Sequence, residues 1–121
     1  MITQVETGSP NILAFRLRGK LHDEDYRTFL PGVDAAVAAA QGKLRLLAQF
    51  EDFHGWDVQA AWEDFKFGVR HYADFDRIAF VGERRWQKWM AVICKPFTKA
   101  EVKYFDASEI ETAWAWVREA S

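Results

Sequence analysis

The sequence predicts a single-domain α/β fold, with a five-stranded, mixed and mostly parallel sheet and helices packed on it. Apolar segments of strand length alternate along the chain with longer segments whose apolar residues recur every three or four positions. Glycine, proline or polar turns separate them. The 121 residues are a common length for one domain and contain no repeat or linker, so 1–121 is treated as one unit.

Two strands are predicted at the start of the chain. Residues 11–18 alternate with a period of two, and a short partner at 2–5 precedes them across the turn Gly8-Ser9-Pro10. Gly19 is predicted to end the longer strand. One face of that strand carries Leu13, Phe15 and Leu17, and the other carries Ile12, Ala14, Arg16 and Arg18.

A helical region is predicted from His22 to about Gln41, divided or kinked at Pro31 because proline lacks the amide hydrogen. The apolar run 44–50 predicts an interior strand that is covered on both faces. A polar turn over 51–55 follows, and a helix over 58–69 comes after it.

The remaining elements are a strand at 78–81, a helix from Trp86 to Ile93, a strand at 102–105 and a C-terminal helix. Ser108 and Glu111 are predicted to form the capping box of that last helix, with Ile110, Ala113, Trp114 and Val117 facing inward. The predicted order is therefore β-β-α-β-α-β-α-β-α. The sequence does not determine the order of the strands within the sheet.

Composition excludes several classes of protein. The single Cys94 has apolar neighbours and fits a reducing cytoplasm, and 50% hydrophobic residues allow folding without a metal or disulfide. Neither a secretion signal nor a run of about twenty apolar residues occurs, so export and membrane spanning are not expected. A net charge of −2 gives no general attraction to nucleic acid.

An ordered set of short motifs covers nearly the whole chain: Gly19-Lys20-Leu21 before Asp25-Tyr26, Gly55-Trp56, Trp62-Glu63-Asp64, 77–82, Trp86 and 96–105. This set resembles the SpoIIAA-like family of bacterial domains, which is related in fold to the STAS domains. The resemblance implies a mixed sheet with helices on its faces. STAS relatives act as regulators or as intracellular domains of transporters, whereas the biochemical function of the SpoIIAA-like family is largely unassigned.

Some STAS relatives are regulated by phosphorylation of a serine at the start of the helix after the central strand. The corresponding location here is 51–56, which contains no hydroxyl, and no serine or threonine occurs from Phe29 to Phe97. The phosphorylation switch is therefore not expected at this position. Asp52 could imitate a phosphorylated residue, but a turn or capping carboxylate is the favoured interpretation.

The carboxyl ends of the parallel strands are the expected location of a ligand site. Polar candidates there are His22, Asp52, His54 and Trp56, with Arg84 and Arg85 in a neighbouring turn. Their spacing matches no compact metal motif, so no metal, cofactor or catalytic set is predicted. An enzyme that uses His54 and Asp52 is kept only as an alternative.

Residues 84–103 hold six basic residues against one acidic residue, a local net charge of +5. The candidate ligand-binding residues are the basic and aromatic side chains of this segment and of the helix before it: Trp62, Phe65, Phe67, Arg84, Arg85, Trp86, Lys88 and Trp89. In one interpretation the aromatic residues are core and the basic residues are solvated. In the other, two helices border an apolar cleft that binds a lipid, an apolar anion or an anionic membrane surface.

The second hypothesis is a protein-interaction or self-associating scaffold domain, either with a protein partner or as a homodimer. Acidic residues dominate 51–76, and they could complement the basic segment of another copy. Both hypotheses describe a non-catalytic binding module, cytoplasmic and either free or peripheral to the membrane.

Overall fold

The computed structural model describes residues 1–9, 11–39, 42–56, 66, 74–82 and 101–119. The strands are β1 (Ile2–Val5), β2 (Ile12–Leu21), β3 (Leu44–Trp56), β4 (Phe75–Gly82) and β5 (Glu101–Asp106). The helices are α1 (Asp23–Ala39), a short 3₁₀ helix (Ala107–Glu109) and α2 (Ile110–Arg118). Apart from Lys66, which is helical, the predicted helices over 58–69 and 86–93 lie outside the described residues.

The five strands form one sheet in the order β1-β2-β3-β4-β5. β1 pairs antiparallel with β2, and every other neighbouring pair is parallel. This confirms the predicted five-stranded, mostly parallel sheet and supplies the strand order. Each strand pairs with the strand that follows it in the chain, so the order never reverses.

Apolar side chains cover both faces of this sheet. One core cluster joins α1 to Leu13, Phe15, Leu17 and Leu21 of β2 and to Leu44, Leu46, Ala48 and Phe50 of β3. The other joins α2 to Ala14, Leu47, Ala79, Val81 and Phe105. The predicted alternation of β2 and the two-sided burial of β3 are both confirmed.

The two described helices lie on opposite faces for a topological reason. α1 is the connection between the parallel strands β2 and β3, so the handedness of crossovers fixes its face. α2 is the last described element and follows β5, an edge strand of the described sheet, so no crossover to a described strand fixes its face. It is free to fold back onto the other face, where it buries Ala113, Trp116 and Val117.

β2 and β3 are longer than predicted. β2 continues through Gly19 to Leu21, and 51–55 is not a turn but part of β3. The pairing of β2 with β3 continues beyond Arg18 because the register shifts around Gly19, which adopts a φ of +63°. The glycine and the polar residues that indicated chain reversal therefore form bulges instead.

α1 is one helix with Pro31 inside it, so of the two predicted effects, division or a kink, division is wrong. Pro31 is exposed, so the backbone position that lacks an amide hydrogen lies on the solvent-facing side of the helix. The helix continues past it to Ala39.

The predicted Ser108–Glu111 capping box is wrong by two residues. The amide of Asp106 donates to Oε1 of Glu109 at 3.2 Å, because the helical region begins with the 3₁₀ turn. The predicted inward side chains of α2 pack as expected, with Ala113 and Val117 buried and Ile110 and Trp114 partly buried. Trp116, which the prediction omitted, is also buried.

Candidate functional site

The residues predicted to form a loop site, His22, Asp52, His54 and Trp56, do not lie in one loop: His22 precedes α1, and the other three are part of β3. Arg18 pairs with Glu51, Gly19 with Phe53 and Lys20 with Gly55, so the pairing register between β2 and β3 skips Asp52 and His54. Asp52 is exposed and has a φ of +50°, which belongs to the left-handed region. Its backbone therefore forms a bulge of β3 rather than the predicted turn or helix cap.

His22 lies between β2 and α1. Its amide donates to Oδ2 of Asp25 at 2.9 Å, and its carbonyl accepts from the amide of Asp25 at 3.0 Å, which closes the first turn of α1. His54 and Trp56 are in β3, but their side chains lie outside the described residues. No group of three histidine, cysteine or acidic side chains able to hold a metal occurs in the described part of the chain.

The predicted basic and aromatic site lies outside the described residues. This applies to all eight of its members: Trp62, Phe65, Phe67, Arg84, Arg85, Trp86, Lys88 and Trp89. The hypothesis of an apolar cleft with a cationic rim therefore stays a prediction from the sequence.

A different basic set is exposed on the sheet itself. Arg16 and Arg18 project from the β2 face that is shared with α2, and their side chains are 42% and 53% exposed. Lys20 is also exposed, and the alternation of the strand places it on the same face, since Leu17 and Leu21 are both buried on the other. We call Arg16, Arg18 and Lys20 the basic row.

One carboxylate serves both arginines of the basic row. Nη2 of Arg18 donates to Oε1 of Glu51 at 2.8 Å, and Nε of Arg16 lies 3.3 Å from Oε2 of the same residue. The Arg16 contact is an ion pair without hydrogen-bond alignment, since this nitrogen is buried and has no hydrogen-bond partner among the described residues. The row therefore carries more positive charge than Glu51 neutralises.

Two other arginines on the same sheet face have a structural role. Nη1 of Arg45 donates to the carbonyls of Val117 at 2.8 Å and of Glu119, and Nη1 of Arg77 donates to the carbonyl of Trp116 at 2.7 Å. Both guanidinium groups thus satisfy carbonyls at the C-terminus of α2, where positive charge is favourable. Their side chains are only 14% and 15% exposed.

The position of α2 explains why Arg45 and Arg77 are largely buried whereas the basic row is exposed. α2 packs mainly on β3, β4 and β5, and the part of its core cluster that lies on β2 is Ala14 and the partly buried Ile12, near the start of that strand. Arg45 and Arg77 lie under the end of the helix, whereas the basic row lies beside it. The exposed Thr3 of β1, which pairs with Arg16, borders the row.

The alternation of β2 is the sequence signal for the basic row. It predicts that Arg16 and Arg18 lie on the face opposite Leu13, Phe15 and Leu17, and this is confirmed, but a charged face on a half-exposed strand is ordinary and does not by itself indicate a site. What the sequence could not supply is the length of α2 and the strands that it covers. Those two facts leave the basic row exposed.

Comparison with known proteins agrees with this fold. The family model described as SpoIIAA-like matches residues 12–118. The structure is similar to that of an uncharacterised protein from Shewanella loihica PV-4, which has a SpoIIAA-like fold. The TM-score is 0.81 at 30% sequence identity, over 97% of this chain and 92% of that one. No curated protein matches the sequence.

The chain belongs to the SpoIIAA-like family. The resemblance found in the sequence is thereby confirmed, and with it the predicted SpoIIAA-like fold class. None of the described helices has the length and apolar content that crossing a membrane requires.

Proposed function

We propose that the protein is a non-catalytic regulatory module that binds an acidic segment of a partner protein through the basic row. The observation that carries the proposal is the pair of exposed arginines, Arg16 and Arg18, which share the single carboxylate of Glu51. The protein as a whole has a net charge of −2, so this local excess of positive charge is opposite in sign to the overall charge. An acidic segment complements it.

An incoming carboxylate can compete for these arginines at low cost. Ion pairs between exposed side chains contribute about 0–1 kcal/mol each. A new ion pair with the incoming carboxylate can therefore compensate for partial loss of a contact to Glu51. Guanidinium groups also bind carboxylates through two parallel hydrogen bonds.

Self-association through the acidic stretch 51–76 is a weaker alternative. Two of its acidic residues are already used inside the chain, since Glu51 contacts Arg16 and Arg18, and Asp76 contacts Nε of Arg45 at 3.3 Å. These carboxylates are not available to a second copy without breaking internal contacts. A separate acidic partner needs no such loss.

The proposal predicts charge-specific binding of a simple probe. We expect a fluorescent ten-residue peptide of alternating threonine and glutamate to bind the wild-type protein, and the double variant Arg16→Gln/Arg18→Gln to bind it about tenfold more weakly. Two contacts of about 0.7 kcal/mol each give this factor. Fluorescence anisotropy at low ionic strength measures both affinities.

The double variant Lys43→Gln/Lys66→Gln is the matched control, because it also removes two exposed positive charges. Its affinity should stay within about twofold of wild type, and a threonine–lysine peptide should not bind. Equal losses in the two double variants would show that only net charge matters and would reject the basic row as the site.

A second candidate is the binding of an anionic membrane or lipid by the basic and aromatic segment. Its support is the local charge of +5 over 84–103, together with Trp86 and Trp89. We expect co-sedimentation with vesicles containing phosphatidylserine but not with neutral vesicles, and loss of that binding in Arg84→Gln/Arg85→Gln/Lys88→Gln. Equal recovery with both vesicle types would exclude this candidate, and Arg16→Gln/Arg18→Gln tests whether the basic row contributes.

A further inference from the structure

We infer that the partner segment binds as an additional strand on the free edge of β1, with its acidic residues directed toward the basic row. This inference rests on the proposed function and specifies its binding mode. In the described sheet β1 is an edge strand, paired only with β2. Edge strands present unpaired backbone groups that can pair with an extended peptide.

The hydrogen bonds of the β1–β2 pair identify which groups are available. Met1 and Arg18 exchange both backbone bonds, at 2.9 and 2.7 Å, so they form a hydrogen-bonded pair. Antiparallel pairs alternate, so Thr3 and Arg16 also form a hydrogen-bonded pair. The backbone groups of Ile2, between these pairs, and of Gln4, just after the second pair, must point away from β2. They are the donors and acceptors that an added strand would meet.

The side chains of β1 do not oppose such an addition. The strand Ile2–Val5 is uncharged and contains no proline, the two features that most often protect an edge. Thr3 is short and exposed, and it lies between the edge and Arg16 in the pairing register. A residue placed opposite Thr3 would be about two strand spacings, roughly 10 Å, from the backbone of Arg16. The long arginine side chain can extend over Thr3 toward it.

The other face of the edge has room for an apolar side chain. A surface depression of about 700 Å³ adjoins the Val5 end of β1, and its walls include Gln4, Leu13, Ala36 and Ala39. Successive residues of a strand point to opposite faces. A segment that alternates acidic with small or apolar residues would therefore place its carboxylates beside the basic row and its other side chains on the α1 side.

A second copy of the protein is a poorer occupant of this edge. In a symmetric β1–β1 pair the added strand would itself be Ile2–Val5, which has no acidic residue. The arginines of the basic row would then gain no carboxylate. Charge complementarity therefore favours an acidic segment from another protein.

The variant Gln4→Pro tests this binding mode. Proline removes the outward amide of Gln4 and leaves the bonds of Thr3 to β2 in place, so the fold should be retained, as circular dichroism would verify. We expect at least tenfold weaker binding of the threonine–glutamate peptide, whereas Gln4→Ala should stay within about twofold of wild type. Equal affinities for Gln4→Pro and Gln4→Ala would overturn strand addition.

Modified peptides provide a test that does not depend on the folding of a variant. All glutamate amides of an extended strand point to one edge and all threonine amides point to the other. We therefore expect N-methylation of one residue type, but not of the other, to abolish binding to the wild-type protein. The sensitive residue type would also report the direction of the added strand.

These results separate the two proposals. If neither N-methylated peptide loses affinity while Arg16→Gln/Arg18→Gln still does, the basic row binds acidic segments without strand addition. If the arginine variant binds as tightly as wild type, the proposed function itself fails. A wild-type dimer in sedimentation that becomes monomeric in Gln4→Pro would show that a second copy occupies the edge and would overturn the inference.

Discussion

Replacing Trp116 by alanine is expected to lower the free energy of unfolding by about 3–5 kcal/mol. The side chain is 8% exposed in the core between α2 and the sheet, and its ring centre lies 5.9 Å from that of Phe105. The cationic groups of Arg77 and Lys103 lie 5.1 and 5.5 Å from the same ring. Truncation removes the apolar burial and both cation–π contacts together.

Urea unfolding monitored by far-ultraviolet circular dichroism measures this loss. The expected decrease corresponds to a melting temperature lower by roughly 10–20 °C. Trp116→Phe should lose less because an aromatic ring remains, and Trp114→Ala is the matched control because Trp114 is only partly buried and contacts Arg118 at 4.6 Å. A loss for Trp114→Ala as large as that for Trp116→Ala would contradict the assigned packing of α2.

Replacing Arg45 by methionine is expected to cost about 2–3 kcal/mol, although methionine preserves most of the apolar stem. The guanidinium joins Asp76 on β4 to the carbonyls of Val117 and Glu119, so one side chain connects two strands with the end of α2. Its loss leaves those helix-terminal carbonyls and a partly buried carboxylate without their partner. The penalty for unsatisfied groups exceeds the value of the bonds themselves.

Two control variants, Arg45→Lys and Arg118→Met, test whether the loss of stability in Arg45→Met comes from the contacts of this guanidinium group. Arg45→Lys keeps the charge but cannot reproduce the forked set of donors, so we expect an intermediate loss. Arg118→Met removes an exposed arginine of α2 and should change stability by about 0.5 kcal/mol or less. Hydrogen exchange of the α2 amides should accelerate in Arg45→Met before the rest of the sheet is affected. Equal effects of Arg45→Met and Arg118→Met would show that the helix end does not depend on Arg45.

The strands were predictable from the sequence where one physical signal dominated. The alternation of Leu13, Phe15 and Leu17 identified β2 and its buried face, and the apolar run 44–50 identified the interior strand β3. The strand ends were not predictable, because Gly19 and Asp52 carry the same local preference in a bulge as in a turn. Only the pairing partner distinguishes the two cases.

Much less of the candidate site could be predicted. The carboxyl ends of the parallel strands predicted a site that includes His22, Asp52 and His54. In the structure Asp52 and His54 lie in bulges of β3, and His22 closes the first turn of α1. Arg16 and Arg45 look alike in sequence, since each lies between two apolar residues of a strand. What separates them is where α2 lies on the sheet, which depends on tertiary packing rather than on local sequence.

The uninterrupted strand order also affects the route by which the protein folds. Each strand of the described sheet finds its partner in the strand that precedes it in the chain, so the sheet can grow by addition at one edge. Every such step closes one loop instead of waiting for a distant segment, which keeps the entropic cost of each closure low. The β1–β2 pair, joined by the shortest connection, is the natural starting point, and the surface that carries Arg16 and Arg18 is therefore among the first to form.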